Sequence, residues 1–179
     1  MTARVLFILI PEDFKDIEFS IPYHTLIENG YHIDVAGLKP GHATGVDGMT
    51  HTPNLLLSTL HEKELSSYDA LVIPGGPGST KHLWGNKEIQ KIVQFFFKHH
   101  KLIATICYAC IVPVQAGILT NKKATVYPTK ETLTILKQHN VIYIDQGIIG
   151  TETNIITCQG PKFVEHFAHE INIQLKNRY

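Results

Sequence analysis

The sequence predicts an α/β protein in which helices cover both faces of a mainly parallel sheet, giving a three-layer sandwich. Short, strongly apolar runs such as Val5–Ile10 and Tyr68–Ile73 recur, as in strands buried on both faces. Stretches of helical periodicity, such as Asp16–Asn29 and Lys87–His100, separate them. Turn-forming clusters close the runs, as Pro74-Gly75-Gly76-Pro77-Gly78 closes the second. With 179 residues, 44% apolar and 18% charged, the chain suits one domain spanning residues 1–179 around a substantial core.

Val5–Ile10 is the first buried strand. It is too short for a secretory signal, and Pro11-Glu12-Asp13 follows it where a small-residue cleavage site would stand. Asp16–Asn29 follows as a helix, with Ile17, Ile21, Leu26 and Ile27 expected on its inward face and Gly30 as its stop. Tyr31–Gly37 is the next strand. Lys39–Thr59, rich in Gly, Thr and His, holds short strands and turns. Helix Lys87–His100 turns Ile89, Ile92, Val93 and Phe96 inward. Strand Leu102–Ile106 runs into Cys107 and the helix-like stretch Tyr108–Val112. Pro128–His139 is a further helix, Tyr143–Thr157 a hairpin around Gly147 or Gly150, and Lys162–Lys176 the closing helix.

Composition excludes several function classes. Sixteen Lys and Arg balance sixteen Asp and Glu, so no basic footprint for nucleic acid or an anionic membrane is expected. No run approaches membrane-spanning length. Three cysteines do not make a disulfide framework, and an odd count suits a reducing compartment, so a cytoplasmic protein is expected. The eleven His are scattered. His166 and His169 share a helix face with Glu165 and Glu170, yet no set of three or four converging ligands can be assembled, and no metal is expected. Gly75–Lys81 lacks the spacing of a phosphate loop, and Gly76-x-Gly78 lacks the third glycine of a dinucleotide fingerprint.

Ligands of parallel α/β sheets gather at the carboxyl ends of the strands, where Pro11–Glu18, Pro74–Ser79 and Cys107 all fall. Cys107 joins a strand to a helix with small residues two positions away on each side, Thr105 and Ala109. A nucleophile on a sharp, strained turn needs that pattern, and the free N–H groups of the following helix favour thiolate. The alternative is a cysteine that fills the core. Glu18 lies in the apolar setting Ile17-Glu18-Phe19-Ser20-Ile21. Buried beside Cys107, it would stay protonated, hydrogen-bond the sulfur and exchange a proton with substrate; otherwise it is a solvated surface residue. Glu12, Asp13 and Asp16 read as loop or cap residues. Gly75-Gly76 offers backbone donors to an oxyanion, or is a plain turn. Cys107 and Cys110 form a C-x-x-C pair, but an elbow sends Cys107 into the cleft and Cys110 along the helix. Cys158 fits a strand core, and Tyr108 and Tyr127 either line the pocket or pack.

Taken in order, Val5–Ile10, Asp16-Ile17-Glu18 with Ile21-Pro22, Val35-Ala36-Gly37-Leu38, Leu71–Gly76, Ile103–Cys107, Tyr127-Pro128-Thr129 and Thr157-Cys158-Gln159-Gly160-Pro161 resemble the ThiJ/PfpI superfamily. The likeness is to its parkinsonism-associated deglycase branch and runs from about Arg4 to Leu175. It implies a flavodoxin-like fold of the class I glutamine amidotransferase kind, usually homodimeric and without a cofactor. Cys107 would be the elbow nucleophile, Glu18 its protonated partner, and the amides of Gly76 and Tyr108 the oxyanion donors, with Gly75 and Tyr127 against the substrate. The implied activity is glyoxalase-like hydration of small 2-oxoaldehydes, or deglycase-like release of their adducts from modified protein. A redox sensor or stress chaperone with an oxidisable Cys107 is the alternative, and a cysteine peptidase or amidase the second alternative. Two departures stand out. Tyr108 occupies the place of a His in the protease-like branch, removing the base next to the thiol. Tyr127 occupies the place of a His in the deglycase branch, and a phenol ordinarily titrates far above neutrality.

Overall fold

A computed structural model describes residues 2–150 and 154–178. In chain order the elements are β1 (Arg4–Leu9), β2 (Glu12–Phe14), α1 (Asp16–Glu28), β3 (His32–Gly37), β4 (Ala43–Gly45), β5 (Thr50–His51), β6 (Leu55–Leu56), α2 (Glu62–Leu65) and β7 (Ala70–Ile73). There follow α3 (Ser79–His82), α4 (Lys87–Lys98), β8 (Leu102–Ile106), α5 (Ile111–Gln115), β9 (Lys123–Ala124), α6 (Lys130–Gln138), β10 (Ile142–Tyr143), β11 (Ile148–Gly150), β12 (Ile155–Cys158) and α7 (Val164–Lys176). Seven strands form the central sheet in the order β11-β12-β8-β7-β1-β3-β6. All neighbours are parallel except β11 and β12. Helices α1 and α7 pack together on one side, whereas α4 packs on β7, β8 and α5. The result is a flavodoxin-like α/β/α sandwich.

The core strands are apolar because both faces are covered, and β7 and β8 are buried along their whole length. Helix α4 turns Ile89, Ile92, Val93 and Phe96 into the core, as its periodicity predicts, and Asn86 caps it by accepting from the N–H groups of Glu88 and Ile89. Lys39–Thr59 does hold short strands, with β4 paired to β2 and β5 and with β6 on the sheet edge.

Two expectations need correction. Helix α1 does not bury Ile17 and Ile27, which are 38% and 43% exposed; its inward residues include Glu18, Phe19, Pro22 and Leu26. Burial of Glu18 rotates the helix, so that the face read from its isoleucines is not the one that meets the core. Gly30, at φ +83°, ends the turn after α1 as expected. The expected hairpin over Tyr143–Thr157 is smaller than foreseen. Only β11 and β12 pair antiparallel, while β10 pairs parallel with β9, and residues 151–153 of that connection lie outside the described residues. Among the described residues no helix is long and apolar enough to cross a membrane.

Candidate active site

Strand β8 ends at Ile106, still extended, and Cys107 then adopts φ +60°. That left-handed conformation costs a non-glycine residue on the order of 1–2 kcal/mol, so surrounding packing must impose it. The elbow is real, but its first turn is a 3-10 turn over Cys107–Cys110, tighter than the expected helix start, and α5 begins only afterwards. Cys107 keeps 6% of its surface accessible.

Glu18 reaches the same place from the first turn of α1. It is fully buried; Oε2 accepts the Gly75 N–H at 3.0 Å, while Oε1 has no hydrogen-bond partner. Burial raises its carboxyl from an ordinary 4.5 to about 7, against the Cys107 thiol, the Gly75 amide and the Lys15 ammonium, which favour the ionised form. The thiol stands beside the carboxyl, though not in the geometry of a formed hydrogen bond to Oε1. A group poised near pH 7 is suited to passing protons in either direction.

Gly75 is fixed by crowding. A methyl on its Cα would stand 2.6 Å from the Ile106 carbonyl oxygen and 2.8 Å from both the Cys107 Cβ and Glu18 Oε2. Its N–H is taken by Glu18, so this amide supports the acid rather than a substrate, which revises the substrate contact expected of it. Gly76, at φ +120°, lies on the backbone of Asp13, Phe14 and Lys15, where no side chain fits. Its amide and that of Tyr108 both act on the Cys107 sulfur.

Those amides do not make Cys107 a resting thiolate. Burial pushes the thiol up, the Glu18 charge pushes it further, and the amides of Tyr108 and Gly76 oppose this only in part. The expectation of a thiolate at a helix end fails because one 3-10 turn and a five-residue helix supply little dipole to a buried sulfur. Near neutral pH, the acceptor beside the thiol proton is Glu18.

The outer wall is aromatic. The Tyr108 ring meets Tyr127 at 5.4 Å and Trp84 at 5.9 Å between centroids. Tyr127 is 42% exposed, and Gly160 lets its ring approach, since a Cβ there would lie 3.1 Å from it. Beyond Tyr127 an open cleft of about 280 Å³ runs past Pro128, Gln159, Gly160, Pro161, Lys162 and Phe163.

The remaining candidates lie elsewhere or have other duties. Cys110 Sγ donates to the Thr105 and Cys158 carbonyls, all three cysteines are free, and burial holds Cys158 up at about 12. Asp16 accepts the N–H groups of Asp47 and Met49, and Glu12 pairs with Lys81 and His82. His166, His169 and Glu170 border a separate cleft, and among the described residues no group of three His, Cys, Asp or Glu could hold a metal. Sequence reasoning passed over Trp84, whose Nε1–H donates to the Tyr108 carbonyl at 2.9 Å. Its one signal was that it is the sole Trp, just beyond the glycine turn.

Residues 3–174, which include every element of this site, match the DJ-1/PfpI family. The chain belongs to that family. It is similar to a deglycase of Pyrococcus abyssi, 35% identical over 125 residues that cover 70% of this chain and 72% of that one. It is also similar to a glutathione-independent glyoxalase of Caenorhabditis elegans, at 27% identity over 93% of this chain and 85% of that one. The crystal structure of Drosophila melanogaster DJ-1beta superposes with a TM-score of 0.85 at 28% identity, covering 98% of this chain and 91% of that one. The DJ-1/PfpI fold thus accounts for the sheet order.

Two outcomes test this geometry. Gly75→Ala should destabilise the fold by about 2 kcal/mol, because backbone rather than a flexible side chain must yield. The thermal midpoint should then fall by about 4–8 °C; an unchanged midpoint would show that the site tolerates the methyl. The second concerns pH. With Glu18 raised to about 7, the folded protein binds more protons than the unfolded chain between pH 4.5 and 7. Its contribution is complete below the unfolded value and is lost as pH rises through 7, an effect of about 3 kcal/mol. Urea unfolding across this range should show a decline in the wild type that is absent from Glu18→Gln; equal slopes would place Glu18 in water.

Proposed function

We propose that this protein is a Cys107-dependent enzyme of the glyoxalase or deglycase kind, acting on small 2-oxoaldehydes or on their amine and thiol adducts. The observation that carries this reading is the buried carboxyl of Glu18, poised at about 7 beside a nucleophile elbow. The names of the Pyrococcus and Caenorhabditis relatives support the same class of carbonyl chemistry.

The sulfur of Cys107 attacks the aldehyde carbon while ionised Glu18 takes the thiol proton, giving a hemithioacetal. The amides of Gly76 and Tyr108 hold the developing oxyanion, which lowers the barrier only because they are already in place. Glu18 returns that proton to the oxyanion, and its regenerated carboxylate then moves the C1 proton to C2 through an enediol, yielding a 2-hydroxyacyl thioester. Water releases the 2-hydroxy acid and regenerates the thiol. The net change is addition of one water without an external oxidant. No imidazole stands at position 127, so Glu18 carries the proton traffic alone. The cleft beside Tyr127 would take the rest of a larger adduct.

The same reading includes a homodimer, supported by the exposed apolar side chains Ile17 and Val46. Light scattering at micromolar concentration should give twice the chain mass; a monomer mass would remove the dimer from the proposal.

Turnover of methylglyoxal should be lost in Cys107→Ala. In the wild type kcat/KM should rise with pH through about 7, because the base form of Glu18 is required, and Glu18→Gln should lose at least about a hundredfold together with that inflection. No turnover by the wild type, with peroxide instead placing two oxygens on Cys107, would move the assignment to redox sensing. Turnover that survives Cys107→Ala would end it.

A further inference from the structure

We infer that Trp84 is a positioning residue that clamps together the two turns whose amides face Cys107, an inference that rests on reading Cys107 as the nucleophile.

The two donors come from segments far apart in sequence. Gly76 belongs to the glycine turn after β7, and Tyr108 to the 3-10 turn after β8. Neither amide is held by a sheet ladder or by the interior of a long helix. Trp84 is bonded to both segments. Its backbone N–H donates to the Ser79 carbonyl at 3.0 Å, and the Ser79 N–H donates to the Gly76 carbonyl at 3.1 Å. On the other side its indole Nε1–H donates to the Tyr108 carbonyl at 2.9 Å, and its ring meets the Tyr108 ring edge to face at 75°. Following the glycine turn, a single side chain thus bridges to the elbow.

The bridge matters because oxyanion donors act through preorganisation, and a misplacement of about half an ångström forfeits much of their effect. The Tyr108 carbonyl has two lone pairs, and the cap of the elbow uses this acceptor as well as Trp84 does. Fixing that carbonyl limits rotation about the Tyr108 Cα, and with it the direction of the Tyr108 N–H. The edge-to-face ring contact adds packing but no such direction. The specific claim is therefore that the indole N–H, rather than the bulk of the ring, sets the donor geometry.

The experiment compares wild type with Trp84→Phe and with a variant carrying β-(3-benzothienyl)alanine at position 84, a shape match for Trp without the N–H. Alkylation of Cys107 by iodoacetamide is followed by mass against pH, alongside methylglyoxal turnover and urea unfolding. Both variants should alkylate about five- to tenfold more slowly, the cost of one lost hydrogen bond. The value of kcat should fall by a similar factor with KM within about twofold of wild type.

A benzothienyl variant that alkylates and turns over at the wild-type rate overturns the proposal, whatever Trp84→Phe does, because bulk alone would then suffice. Should Trp84→Phe fail to fold, the shape-matched variant alone decides. Absence of methylglyoxal turnover in the wild type defeats the carbonyl-enzyme reading, while the alkylation profile still decides the role of Trp84.

Discussion

The backbone of Gly75 lies where three elements converge: the end of β7, the elbow after β8 and the first turn of α1. Its N–H donates to Glu18 Oε2, and its missing side chain leaves room for the Ile106 carbonyl and the Cys107 Cβ. The rest of the site follows from that contact. It fixes the carboxyl beside the sulfur, permits the elbow to close at φ +60°, and leaves the next amide, that of Gly76, to face Cys107. The adjoining loop is tied in as well, since the Lys15 N–H donates to the Gly75 carbonyl at 3.0 Å.

Burial then decides the chemistry. A carboxyl in water would be ionised at neutral pH and useless as an acid, whereas Glu18 at about 7 populates both forms. The same desolvation raises the thiol of Cys107, so a free thiolate is not the resting nucleophile. Attack coupled to proton transfer between two neighbours avoids creating an isolated buried charge, which would be far more costly. In the proposed mechanism the two amides matter most after the bond to carbon has formed, when negative charge appears on oxygen.

Positions 108 and 127 form the rim of the site. Both positions carry tyrosines whose rings pack together, giving an apolar, aromatic edge rather than a second base. In the proposed mechanism this leaves acid–base duty to Glu18, while the outer wall borders the cleft past Pro128 and Pro161.

Much of this was legible in the sequence because it is local. Continuous apolar runs mark doubly covered strands, and the small residues around Cys107 mark an elbow. Adjacent glycines after β7 allow a close backbone approach or a plain turn, and the apolar setting of Glu18 left burial and a solvated surface both open. What the sequence could not determine depends on contacts between distant segments. The inward face of α1 was misread because a buried Glu18 outweighs the pattern of its isoleucines, and only packing against the elbow reveals that. The thiol's raised pKa and the engagement of the Gly75 amide arise from desolvation and from a hydrogen bond spanning 57 residues. Trp84 had no local signature beyond being the sole Trp after the glycine turn. Its indole meets Tyr108 across 24 residues, and such a meeting exists only once the carboxyl ends of β7 and β8 lie side by side.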